Sequence, residues 1–305
     1  MHPSFRHTSG LALAAAGATL FSLKGVAMKI AFTQGANVEQ MMSLRMGIAL
    51  PFFLWIGWRA AKRRDVKPTP RLIGTAAALG VLSYYICTWL DFTGLKYISA
   101  QLERLILFLY PTVVALFAWI AYGDRITWRH GLALLLSYGG VALLALNEFK
   151  DAGPNAALGA GLVFTAAVLF AFYVTASKPA ITKLGSPLFI SIAMSAAAFP
   201  ILIHSFAISA FETAPLTPEI LTIGVFLAIL CTVAPGLMIA EAIARIGPGL
   251  TSATGGIGPA STALAAALIL HEPFGPPQAL ALVLTVTGVM LLTKPVAQTR
   301  QIPRP

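Results

Sequence analysis

The chain has 305 residues, of which 57% are hydrophobic and only 10% charged, and its mean hydropathy is +0.81. Soluble domains run at about 45–50% apolar and about 25% charged residues, so an ordinary soluble enzyme, a disordered chain and a secreted disulfide scaffold are all excluded. The formal net charge of +10 then reads as basic residues held on one side of a bilayer, not as a nucleic-acid surface.

At about 20 apolar residues per helical span, ten helices are predicted. They cover residues 10–31, 38–58, 71–91, 98–121, 130–147, 157–176, 187–208, 219–240, 250–270 and 278–293. Lipid cannot satisfy an unpaired backbone, so the predicted fold class is all-α integral membrane. The first span lacks a small-residue cleavage pattern and is read as a retained helix. With the N-terminus inside, fifteen of the 21 Lys and Arg fall in inner segments, seven of them in the N-terminal segment and the first inner loop, RAAKRRDVKPTPR. Two, Lys96 and Lys150, fall outside, and the remaining four lie within spans. That asymmetry predicts a multi-pass protein of the cell (inner) membrane with both termini cytoplasmic.

Cys87 and Cys231 fall inside apolar runs and read as small buried hydrophobes, not a bridge. Trp55, Trp58, Trp89 and Trp128 lie near span ends and suit interface anchoring. His204 reads as interfacial, and His271–Glu272 as an ordinary outer turn. No HExxH, GxSxG, CxxC or GxxxxGK(S/T) pattern occurs, so no enzyme activity, metal or cofactor is expected. The expected partners are a small-molecule substrate and the lipid bilayer, with no nucleic acid, and the chain is expected as a monomer or weak homodimer.

The chain repeats itself. Pro111 and Pro259 are 148 residues apart, as are Asp124 and Glu272, Gly140 and Gly288, and Val141 and Val289. Pro51 and Pro200, and Lys29 and Lys178, are 149 apart. A register this constant predicts two five-helix repeats, residues 10–147 and 157–293. Five is odd, so the second repeat enters the membrane upside down relative to the first, the inverted-repeat architecture of secondary transporters.

The stretch QLERLILFLYPTVVALFAWIAYGDRIT and the GLALLLSYGGVALLAL that follows it, with their second copies TSATGGIGPASTALAAALILHEPF and ALALVLTVTGVMLL, resemble the end of an EamA-type repeat of the drug/metabolite transporter superfamily. ATLFSLKGVAMK and LRMGIALPFF in the first two spans resemble it too. The likeness covers about residues 10–293, with one departure: HEP in the second copy stands where the first has GDR. It implies a secondary transporter of small organic metabolites. Export of amino acids or related compounds by alternating access is the leading expectation. Export of cationic drugs, and a non-transporting membrane scaffold or sensor, are the alternatives.

At about 1.5 Å of rise per residue, Lys24, Arg45, Glu103 and Arg104 all fall roughly 7–10 Å below the outer hydrocarbon boundary. Tyr84 and Tyr85 reach the same level. A charge there costs about 2.5–3.5 kcal/mol on insertion scales, so it faces a cavity or a partner. The counterparts are uncharged: Lys24 maps to Tyr173, Arg45 to Met194 and Glu103 to Thr251. The predicted substrate site is therefore Lys24, Tyr84, Tyr85, Glu103, Arg104, Tyr110, Tyr173, Thr251 and Ser252, sharing a wet chamber that holds an anionic group. Arg45 and Trp89 are read as structural or substrate-binding, with Arg45 leaning structural. A closed ion-pair network is the competing reading of the charges. A coupling proton on Glu103 is opposed by the neighbouring Arg104. The glycines and Pro259 of TSATGGIGPA predict either close helix packing through small residues, the leading reading, or a weakened ninth helix, against which the fourth has only Tyr110–Pro111.

Overall fold

Two of the breaks in these apolar helices lie just before a proline, whereas Pro51, Pro179 and Pro200 sit inside unbroken helices. In the computed structural model, which describes residues 3–64, 68–122, 128–151, 154–208 and 214–293, the described residues form fourteen α-helical and two π-helical segments and no strand. The first predicted span becomes α1 (Pro3–Ser22) and α2 (Lys24–Thr33), parted at Leu23. The second is α3 (Val38–Lys62), and the third is α4 (Pro70–Gly80), a π segment (Val81–Cys87) and α5 (Thr88–Leu95). The fourth divides into α6 (Ala100–Leu107) and α7 (Tyr110–Tyr122), and the fifth is α8 (Trp128–Asp151).

In the second half, α9 (Ala156–Leu184) and α10 (Ser186–Ala207) run unbroken. They are followed by α11 (Pro218–Ala228), a second π segment (Ile229–Val233), α12 (Ala234–Thr254), α13 (Ile257–Ile269) and α14 (Pro276–Thr293). Six helical stretches are long and apolar enough to cross a membrane: Thr8–Thr33, Val38–Lys62, Pro70–Leu95, Ala156–Ser177, Ser186–Ala207 and Pro218–Ile239. Gly131–Leu146, Ile257–Ile269 and Pro276–Leu291 are shorter apolar helices.

Pro111 has no amide to bond the Leu107 carbonyl, and α6 stops at Leu107, with Phe108 and Leu109 in a turn. Pro259 fails the Gly255 carbonyl in the same way, and Gly255–Gly256 is the turn between α12 and α13. The fourth and ninth predicted spans are thus interrupted at corresponding positions. This corrects the expectation that any such break is confined to the ninth. The π segments begin at Val81 and Ile229, also 148 apart. In each, a threonine hydroxyl meets a carbonyl left over by the wider turn: Thr88 donates to Ser83 O (3.4 Å) and Thr232 to Leu227 O (2.8 Å).

Packing between the halves is reciprocal. A side chain on Gly140 of α8 would strike Thr285 and Ala281 of α14, and one on Gly288 of α14 would strike Ser137 and Ala133 of α8. Each of these residues is 148 from its counterpart, so the two helices meet through one self-complementary patch of small residues. Likewise Ile246 abuts Gly10 as Tyr97 abuts Gly159, each pair of counterparts 149 apart. The largest core, built on Met28, Met41, Met42, Met46 and Phe92, joins α2, α3 and α5 to α10 and α11.

Candidate functional site

Lys24 opens α2 immediately after the Leu23 irregularity, and its Nζ donates to Asp91 Oδ2 of α5 at 2.6 Å. Both residues are buried, at 7% and 3% exposure, and Glu103 of α6 is buried at 1%. Glu103 lies beside them: a β-carbon on Gly25 would fall 3.0 Å from its Oε2, and its carboxyl interacts with Asp91. Asp91 is the residue that sequence reasoning missed. It was counted as the outer end of the third span, but the helix continues to Leu95, which places Asp91 a full turn inside.

Arg104 crosses to α1, donating from Nη2 to Ser22 Oγ at 2.8 Å, while Ser22 Oγ donates to Ala18 O. The guanidinium also lies over the Phe21 ring, 5.5 Å from its centroid. Thr262 of α13 donates to the Ser22 carbonyl at 2.9 Å, taking up an acceptor near the Leu23 break. Gly258 completes the junction, because a β-carbon there would lie 2.7 Å from Ser22 Oγ and 2.9 Å from Arg104 Nη2. Three helix interruptions, at Leu23, Phe108–Leu109 and Gly255–Gly256, therefore border one junction.

Arg45 of α3 is 4% exposed. Its Nη2 contacts the Met46 thioether at 3.8 Å, its Nε has no hydrogen-bond partner among the described residues, and its guanidinium lies 5.7 Å from the Phe92 centroid. Lys24 shares the same ring at 5.1 Å. Asp91, Tyr84 and Cys231 are within electrostatic range of Arg45. The expectation that Arg45 is a structural tie finds no carboxylate bonded to it.

The aromatic residues form two groups. Tyr110, Phe170, Tyr173 and Tyr84 make a continuous ladder with ring centroids 5.1, 5.7 and 5.8 Å apart, and Tyr84 and Tyr173 share a hydroxyl contact at 3.2 Å. Separately, Tyr85 OH pairs with His204 Nδ1 at 3.0 Å, and Trp89 Nε1 donates to Glu39 Oε1 at 2.7 Å. His204 is thus bonded to the third span and is not a free interfacial residue. Trp89 is held by Glu39, whereas Trp55, Trp58 and Trp128 are exposed. Thr251 and Ser252 fall on α12 with their side chains outside the described residues, and Asp124 lies outside the described residues altogether.

Glu272 is also more than a turn residue. Its carboxylate accepts from Ala100 N (2.8 Å) and Gln101 N (3.3 Å), and Glu148 accepts from Ser99 N and from Ser99 Oγ (2.7 Å). Two acids therefore fasten the N-terminus of α6, where the helix dipole favours negative charge.

Lys24, Arg45, Glu103 and Arg104 thus lie near one another, and Lys24, Arg45, Asp91 and Glu103 are all at most 7% exposed. The cluster is closed to bulk solvent and holds three formal cations and two carboxyls. Among the described residues, no group of three or more His, Cys, Asp or Glu could hold a metal ion, and both cysteines are free.

The sequence model of the EamA-like transporter family matches residues 8–146 and again residues 157–294. The chain is 27% identical over 268 residues to the uncharacterized transporter YcbK of Bacillus subtilis (strain 168), covering 85% of this chain and 84% of the relative. It is 26% identical over 241 residues to the uncharacterized transporter YvbV of the same organism, covering 76% and 75%. A solved crystal structure aligns over 93% of this chain and 96% of its own, with TM-score 0.63 and 16% identity, a likeness of fold.

Proposed function

The chain belongs to the EamA-like transporter family, and from that premise we propose that it exports small organic metabolites bearing an anionic group, amino acids or related compounds foremost. In this reading it is a multi-pass transporter of the cell membrane, with ten spans in two inverted five-helix repeats, residues 10–147 and 157–293, and both termini cytoplasmic. The two repeats rock against one another so that the closed cluster opens to each side in turn. The reciprocal contact of α8 with α14 and the matched interruptions before Pro111 and Pro259 support the inverted pairing.

One observation carries the functional reading: five charged groups from the first half meet, most of them sealed from solvent, where three helices break. Charges at membrane depth are costly and mark substrate or ion pathways. Interrupted helices in corresponding positions of two repeats mark the binding site of a transporter. The formal surplus of one cation favours an anionic or zwitterionic guest over a cationic drug. The ladder from Tyr110 to Tyr84 supplies apolar surface for the organic body.

Counterflow in proteoliposomes tests this. Vesicles preloaded with a mixture of unlabelled L-amino acids are expected to accumulate a labelled member of the mixture, and vesicles loaded with tetraphenylphosphonium are not expected to accumulate that cation. Accumulation of the cation alone would overturn the reading.

A further inference from the structure

The closed cluster leaves particular hydrogen-bonding atoms unused, and their identities describe a guest. Arg45 Nε, Asp91 Oδ1, Glu103 Oε1 and Arg104 Nε are buried and have no hydrogen-bond partner among the described residues. Buried polar atoms are paired in the great majority of cases, so a group of four orphans in one place asks for a cause. Two of the orphans are guanidinium donors and two are carboxyl acceptors.

The cations are not equivalent. Lys24 is neutralised by Asp91 at 2.6 Å. Arg104 already donates to Ser22 and neighbours Glu103 along α6. Among the described residues, Arg45 alone of the three has neither a carboxylate nor an oxygen acceptor bonded to it, only a thioether, which accepts weakly. An arginine is always charged, so burial at this depth without a counter-ion is the costliest arrangement in the cluster. An incoming carboxylate would meet that need in the two-pronged geometry a guanidinium favours. A dianion such as phosphate is disfavoured, because Asp91 and Glu103 stand close by and the formal surplus is a single positive charge.

The unused acceptors complete the picture. Asp91 Oδ1 and Glu103 Oε1 belong to two interacting carboxyls, and Asp91 is within electrostatic range of Arg45. We propose that Arg45 binds the carboxylate of the substrate while Asp91 Oδ1 and Glu103 Oε1 accept its ammonium group, so that the site is built for a small zwitterion. Lys24, one of the predicted site residues, instead orients Asp91. This rests on the transport reading above and names the residues that give it specificity.

The test uses the purified full-length protein and its thermal unfolding. Each L-amino acid is compared with its amide, which lacks the carboxylate, and with its desamino acid, which lacks the ammonium. Wild type is expected to be stabilised by at least one amino acid and about tenfold or more less sensitively by either analogue. In Arg45→Met the preference for acid over amide disappears, and the ligand-free variant unfolds at a temperature equal to or above that of wild type, because a buried unpaired charge has been replaced by an apolar chain. Arg45→Lys keeps the charge but not the fork, and binds more weakly than wild type. Retention of the acid-over-amide preference by Arg45→Met would overturn the assignment while leaving the transport reading intact. So would a ligand-free Arg45→Met that melts below wild type, since Arg45 would then be a structural tie. If no amino acid stabilises wild type, the zwitterion site and the amino-acid reading fall together.

Discussion

The charged cluster of the first half and its counterpart in the second occupy related places and use opposite chemistry. Lys24, Arg45 and Asp91 map to Tyr173, Met194 and Ile239 at separations of 149, 149 and 148. Tyr173 is settled: its ring packs on Phe170 and Phe189 and its hydroxyl meets Tyr84. Met194 is buried in the main apolar core. The first-half positions are not settled, since they hold three cations, two carboxyls and four unused polar atoms. A scaffold of apolar helices can be shared by two repeats because packing tolerates many sequences of similar volume. A cluster of buried charges cannot be duplicated as cheaply, because each buried charge must be offset individually.

The largest effect that tests this contrast is at Asp91. Asp91→Ala leaves Lys24 buried without its partner, and removing one member of a buried pair costs about 3–5 kcal/mol. The expected outcome is a large fall in the unfolding temperature and loss of counterflow. Replacing both partners, Lys24→Met with Asp91→Leu, is expected to recover most of the stability and none of the transport. If the single variant melted like wild type, the pair would be idle and the contrast between the halves would lose its energetic meaning.

The junction at Gly258 gives the next effect. Gly258→Ala places a β-carbon 2.7 Å from Ser22 Oγ and 2.9 Å from Arg104 Nη2, and forced repacking of this kind costs about 1–3 kcal/mol. Gly236, on α12, has nothing within 4 Å of the position a β-carbon would take. Gly236→Ala is therefore expected to leave stability unchanged or to raise it by about 0.5–1 kcal/mol. Thermal unfolding of the two variants side by side measures the difference, and equal melting temperatures would remove the junction from the account.

Much of this was legible beforehand, for identifiable reasons. The 148-residue register survives because helix-breaking prolines and close-packing glycines, such as Pro111 with Pro259 and Gly140 with Gly288, leave few alternatives at their positions. Lys24, Arg45, Glu103 and Arg104 stand out because charge is rare in a span. Asp91 was hidden by its nearness to the predicted end of the third span, where an acid is ordinary. The interruption at Phe108–Leu109 carried a readable signal, since a proline four residues beyond Leu107 frees that carbonyl whatever the intervening side chains. The partners of His204 and Glu272 had none: Tyr85 is 119 residues away and Ala100 is 172, and only the folded arrangement brings them together.

The smallest effect is expected at the second-half counterpart itself, and it separates two uses of an aromatic residue. Tyr173→Phe keeps the ring that packs between Phe170 and Phe189 and deletes only the hydroxyl that meets Tyr84 at 3.2 Å. Loss of this one hydroxyl contact is expected to cost about 1 kcal/mol. Counterflow should stay near the wild-type rate, because the ladder offers the guest a surface and not a hydrogen bond. A Tyr173→Phe protein that melts like wild type but no longer transports would mean that the hydroxyl touches substrate. The second half would then contribute chemistry as well as scaffold, and the polar site would extend across both repeats.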